Sequence, residues 1–322
     1  MRIGRWAPWI TLAVVAMILF MLSRALRRYD FAEVLATIAS ADRMRLGLAI
    51  ACAAGSYFTL SLFDTLAVRY VRRVLPYRRT ALASFTSLSI GHTVGLAALS
   101  SGAVRYRFYS RWGLSAEEIG KVIVFCALTV GLGLITLAGL AWTVRPVIAA
   151  DLTGLPLWAV HIVGVGCLAV SSAWLVLAAL RRRPLRLFHF KVAMPSPRLA
   201  AMQIVIGTIN FGLVAGALYQ CIRSVADARY GEVAAAYVIG NTAAIVSHVP
   251  GGLGVIEAVV TYLLPQANIL SAVLLFRAVY YLLPLPLGLL SLAAAELYYK
   301  ARGVAASRSR DTAGFVSASL RR

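Results

Sequence analysis

The stretch SHVPGGLGVIEAVV at residues 247–260 interrupts an apolar region with one proline and three glycines, and it places Glu257 in the apolar run that follows. Proline ends a helix, and glycine permits a chain reversal with close packing. The stretch therefore predicts a broken helix, with the turn of a hairpin inside an otherwise apolar segment. A kinked but continuous helix is the alternative that these residues leave open.

The composition places most of the chain in a bilayer. Of the 322 residues 61% are hydrophobic and 14% are charged, which is more apolar surface than one soluble core can bury. Six mostly apolar stretches are long enough to cross a membrane as helices, and they lie at residues 7–23, 46–68, 119–143, 157–180, 199–222 and 269–297. Two further stretches, 80–104 and 231–264, are apolar but richer in Gly, Ser, Thr, His and Pro. We therefore predict an all-α integral membrane protein with eight apolar segments.

The distribution of basic residues favours a topology in which the two polar-rich stretches do not cross. If all eight segments cross, Lys and Arg divide almost equally between the two sides, which is unusual for a membrane protein. If each polar-rich stretch returns to the side it left, they divide about three to one. We therefore predict a helical bundle of six full spans plus two re-entrant hairpins, with both termini cytoplasmic. Such hairpins imply an internal polar cavity, because their backbone must be satisfied by protein or water.

A short motif suggests an internal repeat. IGHT at residues 90–93 recurs as IGNT at residues 239–242, and the same offset carries Gly102 onto Gly251. Each half then consists of two spans, a hairpin and a span, so the halves have opposite orientations, as in many transporters. We predict a first inverted repeat at 1–150, a second at 151–300 and a basic disordered tail at 301–322; chance similarity between glycine-rich helices is the alternative. The predicted hairpin turns are at Gly102 and at Pro250, Gly251, Gly252 and Gly254.

Charged residues at membrane depth are costly unless they are paired or face water, so each one is a candidate functional residue. Glu257 and Arg277 lie deepest, and the plan of the second half allows them to pair across the hairpin. A substrate-binding role and a purely structural ion pair are both open. Asp64 lies near the cytoplasmic end of its span, five residues before Arg69, where it either binds substrate or bridges to a neighbouring loop.

Further candidates follow from the repeat and from the first hairpin. His92 and Asn241 occupy equivalent repeat positions, and as neutral hydrogen-bonding groups they would line the cavity, although a packing role explains a single His equally simply. Arg105 and Arg107 follow the first hairpin and are interleaved with tyrosines. Because Arg suits bidentate phosphate contacts, this segment is a candidate clamp for a lipid headgroup; anchoring to the cytoplasmic side is the alternative.

Four segments carry a resemblance to a known family: GHTVGLAALSSGAVRYRFYSRWGLS at 91–115, SHVPGGLGVIEAVVTYLLP at 247–265, SLFDTLAVRY at 61–70 and LLFRAVYYLLPLPLG at 274–288. They resemble the N-terminal membrane region of the lysylphosphatidylglycerol synthase/flippase family, the bacterial multiple peptide resistance factors, and its stand-alone relatives. The resemblance implies that the matching polar residues are Asp64, Arg69, Arg105, Glu257 and Arg277.

The resemblance also implies a function. In that family the membrane region is implicated in flipping aminoacylated phosphatidylglycerol to the outer leaflet, which contributes to resistance against cationic antimicrobial peptides, and a separate C-terminal domain makes the lipid. This chain stops where that domain would follow, so we expect a transporter rather than an enzyme. The predicted function is a phospholipid translocase (flippase) for a lipid such as lysyl-phosphatidylglycerol. The alternatives are the membrane component of a synthase whose transferase domain is on another chain, and a non-transporting scaffold for envelope-lipid enzymes.

The expected partners are membrane phospholipids, with a synthase chain and a second copy of this chain left open. The +20 formal charge lies in short loops rather than in a soluble domain, so we expect no nucleic-acid partner. The four cysteines are separated within apolar spans, and no metal-binding or nucleotide-binding motif is present. We therefore expect no metal, no cofactor and no catalytic residue.

Overall fold

The computed structural model describes residues 38–39, 41–94, 97–180, 185–187, 190–192, 194–247, 249, 252–264 and 268–319. Within these residues the chain forms helices α1 (Arg43–Tyr70), α2 (Tyr77–Val94), α3 (Ala97–Arg111), α4 (Ala116–Val144), α5 (Pro146–Thr153), α6 (Leu157–Leu180), α7 (Pro197–Arg223), α8 (Tyr230–Ser247), α9 (Val255–Leu263), α10 (Ile269–Arg277) and α11 (Pro284–Ser319). Strands β1 (Leu185–Leu187) and β2 (Phe190–Val192) lie between α6 and α7, and one π-helical turn (Ala278–Leu282) joins α10 to α11. The predicted first span at 7–23 and the predicted turn residues Pro250 and Gly251 lie outside the described residues.

Five described stretches of helix are long and apolar enough to cross a membrane. They are α1, α4, α6, α7 and the run from α10 into α11 that ends at Ala301. Their ends lie within about one helical turn of five of the six predicted spans. The chain is therefore a helical membrane protein with several spans, as predicted.

Side-chain caps fix where three of these helices begin. The Asp42 carboxylate accepts the Met44 N–H at the start of α1, and the Ser196 hydroxyl accepts the Leu199 N–H at the start of α7. At α4 the Ser115 hydroxyl and the Glu118 carboxylate each accept the backbone N–H of the other residue. These bonds satisfy amide groups that have no partner within the helix, so the sequence itself defines these ends.

Helices α2 and α3 form a helical hairpin. α2 ends at Val94 and α3 begins at Ala97, and the Arg79 guanidinium near the start of α2 lies 5.7 Å from the ring centre of Trp112, just after α3. The start of α2 and the end of α3 therefore lie close together. The helices have 18 and 15 residues and are about 27 and 22 Å long, which is shorter than a hydrocarbon core of roughly 30 Å.

The turn of this first hairpin is not at Gly102, where the sequence motif predicts it. Gly102 lies inside α3, and a Cβ on it would lie 3.4 Å from Cδ1 of Ile123 in α4. That distance is an ordinary van der Waals contact, so the packing of α3 on α4 does not require a glycine at this position. α2 ends at Val94 and α3 begins at Ala97, so both of these helix ends lie before Gly102.

The second hairpin has the break that the opening stretch predicts. α8 ends at Ser247 and α9 begins at Val255. Gly252 and Gly254 between them have φ angles of 60° and 81°, which only glycine adopts readily. The two helices pack closely, since a Cβ on Gly240 of α8 would lie 3.6 Å from the Val259 side chain of α9.

The order of a long helix, two shorter helices and a long helix occurs twice. α1, α2 and α4 begin 154, 153 and 153 residues before α7, α8 and α10, a slightly larger spacing than that of the sequence motif. α1 and α7 are antiparallel, because Arg45 near the start of α1 donates to Gln220 near the end of α7 at 3.0 Å. Opposite directions of equivalent helices are what an inverted repeat requires.

Glycines allow the long helices to approach closely. A Cβ on Gly133 of α4 would lie 2.3 Å from the backbone carbonyl carbon of Gly207 in α7. A Cβ on Gly164 of α6 would lie 2.8 Å from the Thr143 hydroxyl oxygen of α4. Such small residues let helix backbones pack tightly in a membrane, where apolar burial provides little driving force between helices.

The fold is helical as predicted apart from one short pair of strands, and the tail differs from the predicted disordered segment. β1 and β2 pair as an antiparallel hairpin with Leu187 opposite Phe190, a small polar-apolar connection between α6 and α7. The helix α11 continues to Ser319, so the backbone of residues 301–319 is helical. This tail is rich in alanine and follows an existing helix, so each added residue avoids the cost of nucleation.

Candidate functional site

Asp64 and Arg105 form a buried ion pair between α1 and α3. Arg105 Nε and Nη2 donate to the two Asp64 carboxylate oxygens at 2.9 and 2.8 Å, and the Arg105 and Asp64 side chains are 5% and 0% exposed. Tyr109 donates its hydroxyl to Asp64 Oδ1 at 2.8 Å, and Arg105 Nη1 donates to the Ser101 hydroxyl at 3.1 Å. In this conformation Arg105 is therefore bound by Asp64 and is not presented to a lipid phosphate.

Glu257 and Arg277 form a second ion pair, between α9 and α10, as the sequence predicts. Arg277 Nε and Nη2 donate to the Glu257 carboxylate oxygens at 2.7 and 3.1 Å. The glycine-rich break supplies the rest of the shell, because the Gly252 carbonyl accepts from Arg277 Nη2 at 2.7 Å and the Gly254 N–H donates to Glu257 at 2.9 Å. The broken backbone at 247–260 thus holds a charged pair inside an apolar segment.

A neutral polar cluster lies where α1 crosses α7, and we name it the midpoint cluster: Ser56, Thr59, Asn210 and Tyr280. Ser56 is the fourteenth residue of the 28 in α1, and Asn210 is the fourteenth of the 27 in α7. Ser56 and Thr59 donate to Asn210 Oδ1 at 2.7 and 3.0 Å. Both helices are long and apolar enough to span a membrane, and the cluster joins them at the midpoint of each.

The π-helical turn brings the second half into this cluster. The Tyr280 hydroxyl lies 2.9 Å from the Ser56 hydroxyl, and it must donate this bond because the single Ser56 proton goes to Asn210. The His92 ring of α2 stacks on Tyr280, with ring centres 5.9 Å apart. His92 Nδ1 is buried and has no hydrogen-bond partner within the described part of the chain. Single π-helical turns occur frequently at functional sites.

The remaining predicted residues lie elsewhere. Arg69 is exposed in the last turn of α1, and Asn241 is half-buried in α8. Arg107 of α3 pairs with Glu296 of α11. The three ion pairs described so far join α1 to α3, α9 to α10 and α3 to α11. The predicted residues therefore form separate groups rather than one pocket. Their role in binding a substrate stays a prediction.

Outside the membrane-spanning helices, an exposed ion pair joins the ends of α1 and α4. Arg73 Nε donates to the Glu118 carboxylate at 2.8 Å, and this hydrogen bond raises the pKa of Arg73 above its ordinary value. The pair places the end of α1 beside the start of α4, on the side where α2 begins and α3 ends.

Sequence reasoning missed several of these residues. Glu296 lies inside the predicted span 269–297, so the same argument from the cost of a membrane-depth charge identifies it. Ser56 and Asn210 carry a weaker signal, because each is a single neutral residue in a long apolar helix. Ser56 and Asn210 are 154 residues apart, as are the first residues of α1 and α7. The IGHT/IGNT motif has a different offset, so it does not align these two residues.

Five described stretches of helix that are long and apolar enough to cross a membrane define a polytopic helical membrane protein. The family model described as the lysylphosphatidylglycerol synthase transmembrane region matches residues 9–288. The chain belongs to this family, as the sequence resemblance implies.

Two relatives are similar over most of their length. The uncharacterized protein slr0712 of Synechocystis sp. is 33% identical over 305 residues, covering 92% of this chain and 94% of the relative. The inner membrane protein YbhN of Escherichia coli is 29% identical over 270 residues, covering 82% of this chain and 84% of the relative. The similarity therefore extends over the two hairpins and the helices around them.

Proposed function

We propose that the protein is a phospholipid translocase of the bacterial inner membrane, acting on aminoacylated phosphatidylglycerol such as lysyl-phosphatidylglycerol. The observation that carries the proposal is the pair of Glu257 and Arg277 at the broken helix, in a stretch otherwise apolar. Charged groups inside a membrane mark substrate pathways, and broken helices form the substrate sites of inverted-repeat transporters. The name of the family supports the choice of lipid.

The chemistry of the headgroup fits an exchange of partners at this pair. Lysyl-phosphatidylglycerol carries one negative phosphate and positive amino groups. The phosphate would replace the Glu257 carboxylate on Arg277, because a guanidinium binds either anion through two parallel hydrogen bonds. The released Glu257 would then accept the lysyl ammonium. Arg277, the phosphate, Glu257 and one of the two lysyl ammonium groups each have a partner after this exchange, which avoids most of the penalty for a buried unpaired charge.

The midpoint cluster supports the path of the headgroup between the two halves. Its hydroxyl and amide groups are neutral, so they can hydrogen-bond a passing polar group without the desolvation cost of a charge. They also link α1, α7 and the π-helical turn. In this proposal the two halves rock about the cluster while the acyl chains stay in lipid.

The topology forms part of the same proposal. The side that contains the end of α1, the start of α2 and the end of α3 carries many of the basic residues, including Arg73, Arg79 and Arg111. Under the positive-inside rule this side is cytoplasmic. The N- and C-termini are then cytoplasmic too, and the two hairpins enter from opposite sides.

The proposal is tested by lipid exchange between leaflets in proteoliposomes. Fluorescent phosphatidylglycerol and lysyl-phosphatidylglycerol are followed with the purified chain, with Glu257→Gln and with Arg277→Ala. We expect exchange by the unaltered chain and a loss of at least about tenfold in each variant, since each leaves a charge without its partner. Glu117→Gln is the matched control, because the Glu117 carboxylate pairs with Lys121 in an exposed position.

Exchange by the unaltered chain equal to that of protein-free liposomes would refute the translocase. Exchange that persists unchanged in both variants would refute the role of the pair. Loss of exchange with phosphatidylglycerol but not with its lysyl form, or the reverse, identifies which headgroup charge the site requires.

A further inference from the structure

A basic and aromatic cluster lies on the surface where α2 begins, α3 ends and α11 passes. Trp112 Nε1 donates to the Tyr299 hydroxyl at 2.8 Å. The Arg111 guanidinium lies 5.3 Å from the Tyr299 ring centre, and that of Arg79 lies 5.7 Å from the Trp112 ring centre. Beside these rings is a pocket of about 410 Å³, lined by Arg111, Glu296, Leu297, Tyr299 and Lys300.

This cluster has more positive than negative charge. Arg111 Nη1 and Nη2 donate to the two Glu296 oxygens at 2.8 Å each, and Arg107 also donates to Glu296. One carboxylate therefore serves two guanidinium groups. Arg79 and Lys300 are exposed and form no ion pair within the part of the chain that the structure describes. The cluster thus keeps cationic donors available for an anion.

An apolar stripe continues from the pocket along α11. It consists of Leu283, directly before α11, and of Leu287, Leu290 and Leu297 in α11, and these residues are 47%, 51%, 66% and 69% exposed. Their spacing of four, three and seven residues places them on one face of the helix. The stripe is about 21 Å long at 1.5 Å per residue. Its length and position suit a hydrocarbon chain whose polar end lies at the pocket.

We infer that the pocket binds the phosphate group of an anionic phospholipid, with an acyl chain along the leucine stripe. Guanidinium and ammonium groups bind phosphate oxygens, and Trp and Tyr favour the level of the lipid headgroups. A free phosphate would use the same cations but would leave the stripe unoccupied. The site is on the surface and separate from the Glu257–Arg277 pair, so the inference does not depend on the proposed function.

The test is lipid binding by the purified full-length chain in detergent, measured by native mass spectrometry. The probes are phosphatidylglycerol, phosphatidylcholine and inorganic phosphate. We expect one phosphatidylglycerol to be retained more tightly than phosphatidylcholine, and Arg79→Gln and Lys300→Gln each to weaken it about fivefold. Arg145→Gln, at another exposed arginine, is the matched control and should not change the binding constant.

Three results would overturn the inference. Equal retention of phosphatidylcholine would show that negative charge is not recognised. Equal binding by the Arg79, Lys300 and Arg145 variants would show that the lipid binds elsewhere. Competition by inorganic phosphate at the same concentration as the lipid would show that the stripe contributes nothing. Thermal unfolding of each variant checks that the chain stays folded, which we expect because both substituted side chains are exposed.

Discussion

Replacing Asp64 by Asn should strongly destabilise the protein. Asp64→Asn keeps the shape of the side chain but removes the charge that balances Arg105, whose side chain is only 5% exposed. Breaking a buried ion pair by removing one partner costs about 3–5 kcal/mol. We expect a loss of that size in the free energy of unfolding, measured by titrating the detergent-solubilised protein with a denaturing detergent and following tryptophan fluorescence.

Two further variants separate the charge from the packing. The double variant Asp64→Leu/Arg105→Met removes both charges and should recover most of the lost free energy of unfolding. It leaves the Tyr109 hydroxyl without its carboxylate acceptor, which costs about 1–3 kcal/mol. Adding Tyr109→Phe should remove this cost. Glu117→Gln serves as the exposed control, since exposed pairs contribute about 1 kcal/mol or less. If Asp64→Asn is no more destabilising than this control, the pair does not hold α3 against α1.

Three other variants test the packing, the hairpin and the midpoint cluster. Gly133→Ala should force α4 away from α7, because the added Cβ would lie 2.3 Å from the Gly207 carbonyl carbon. The melting temperature of this variant should be clearly lower than that of the control Gly131→Ala, whose added Cβ has no neighbour within 4 Å. Gly254→Ala should lower the free energy of unfolding by about 1–2 kcal/mol, because Gly254 has a positive φ angle. Gly120→Ala is the control, and an equal loss in both variants would show that the φ angle of Gly254 is not important for stability. Asn210→Leu with Ser56→Ala leaves the buried Tyr280 hydroxyl without the Ser56 acceptor, at a cost of about 1–3 kcal/mol, so Tyr280→Phe is added to remove that donor. The triple variant should stay folded but should slow lipid exchange in proteoliposomes; unchanged exchange would remove the midpoint cluster from the path.

The sequence predicts the long helices well and the polar sites only in part. The spans are determined by runs of apolar residues, so their ends in α1, α4, α6 and α7 agree closely with the pattern. Glu257 and Arg277 can be paired from sequence because they lie close along the chain and both are costly in a membrane. The partner of Arg105 is 41 residues away at Asp64, and hydropathy contains no information about which helices are neighbours.

The position of the first turn shows a second limit. Gly102 and the glycines at 251–254 align in the motif, but glycine serves two physical needs. It permits the positive φ at Gly254, and it permits the approach of α4 to α7 at Gly133. Residue type alone does not distinguish a glycine at a turn from a glycine inside a helix. Gly102 is inside α3, and the facing ends of α2 and α3, at Val94 and Ala97, both lie before it.

The two ion pairs differ in how easily they can open. Asp64 is completely buried and accepts hydrogen bonds from two side chains, so a released Asp64 would remain without water. Glu257 is 13% exposed and takes part of its support from the backbone of the break. A partly exposed carboxylate regains hydration when its partner leaves, and this lowers the cost of separation. The second hairpin is therefore the better place for a headgroup to exchange partners with Arg277, whereas the first pair is better suited to hold α3 in a fixed position.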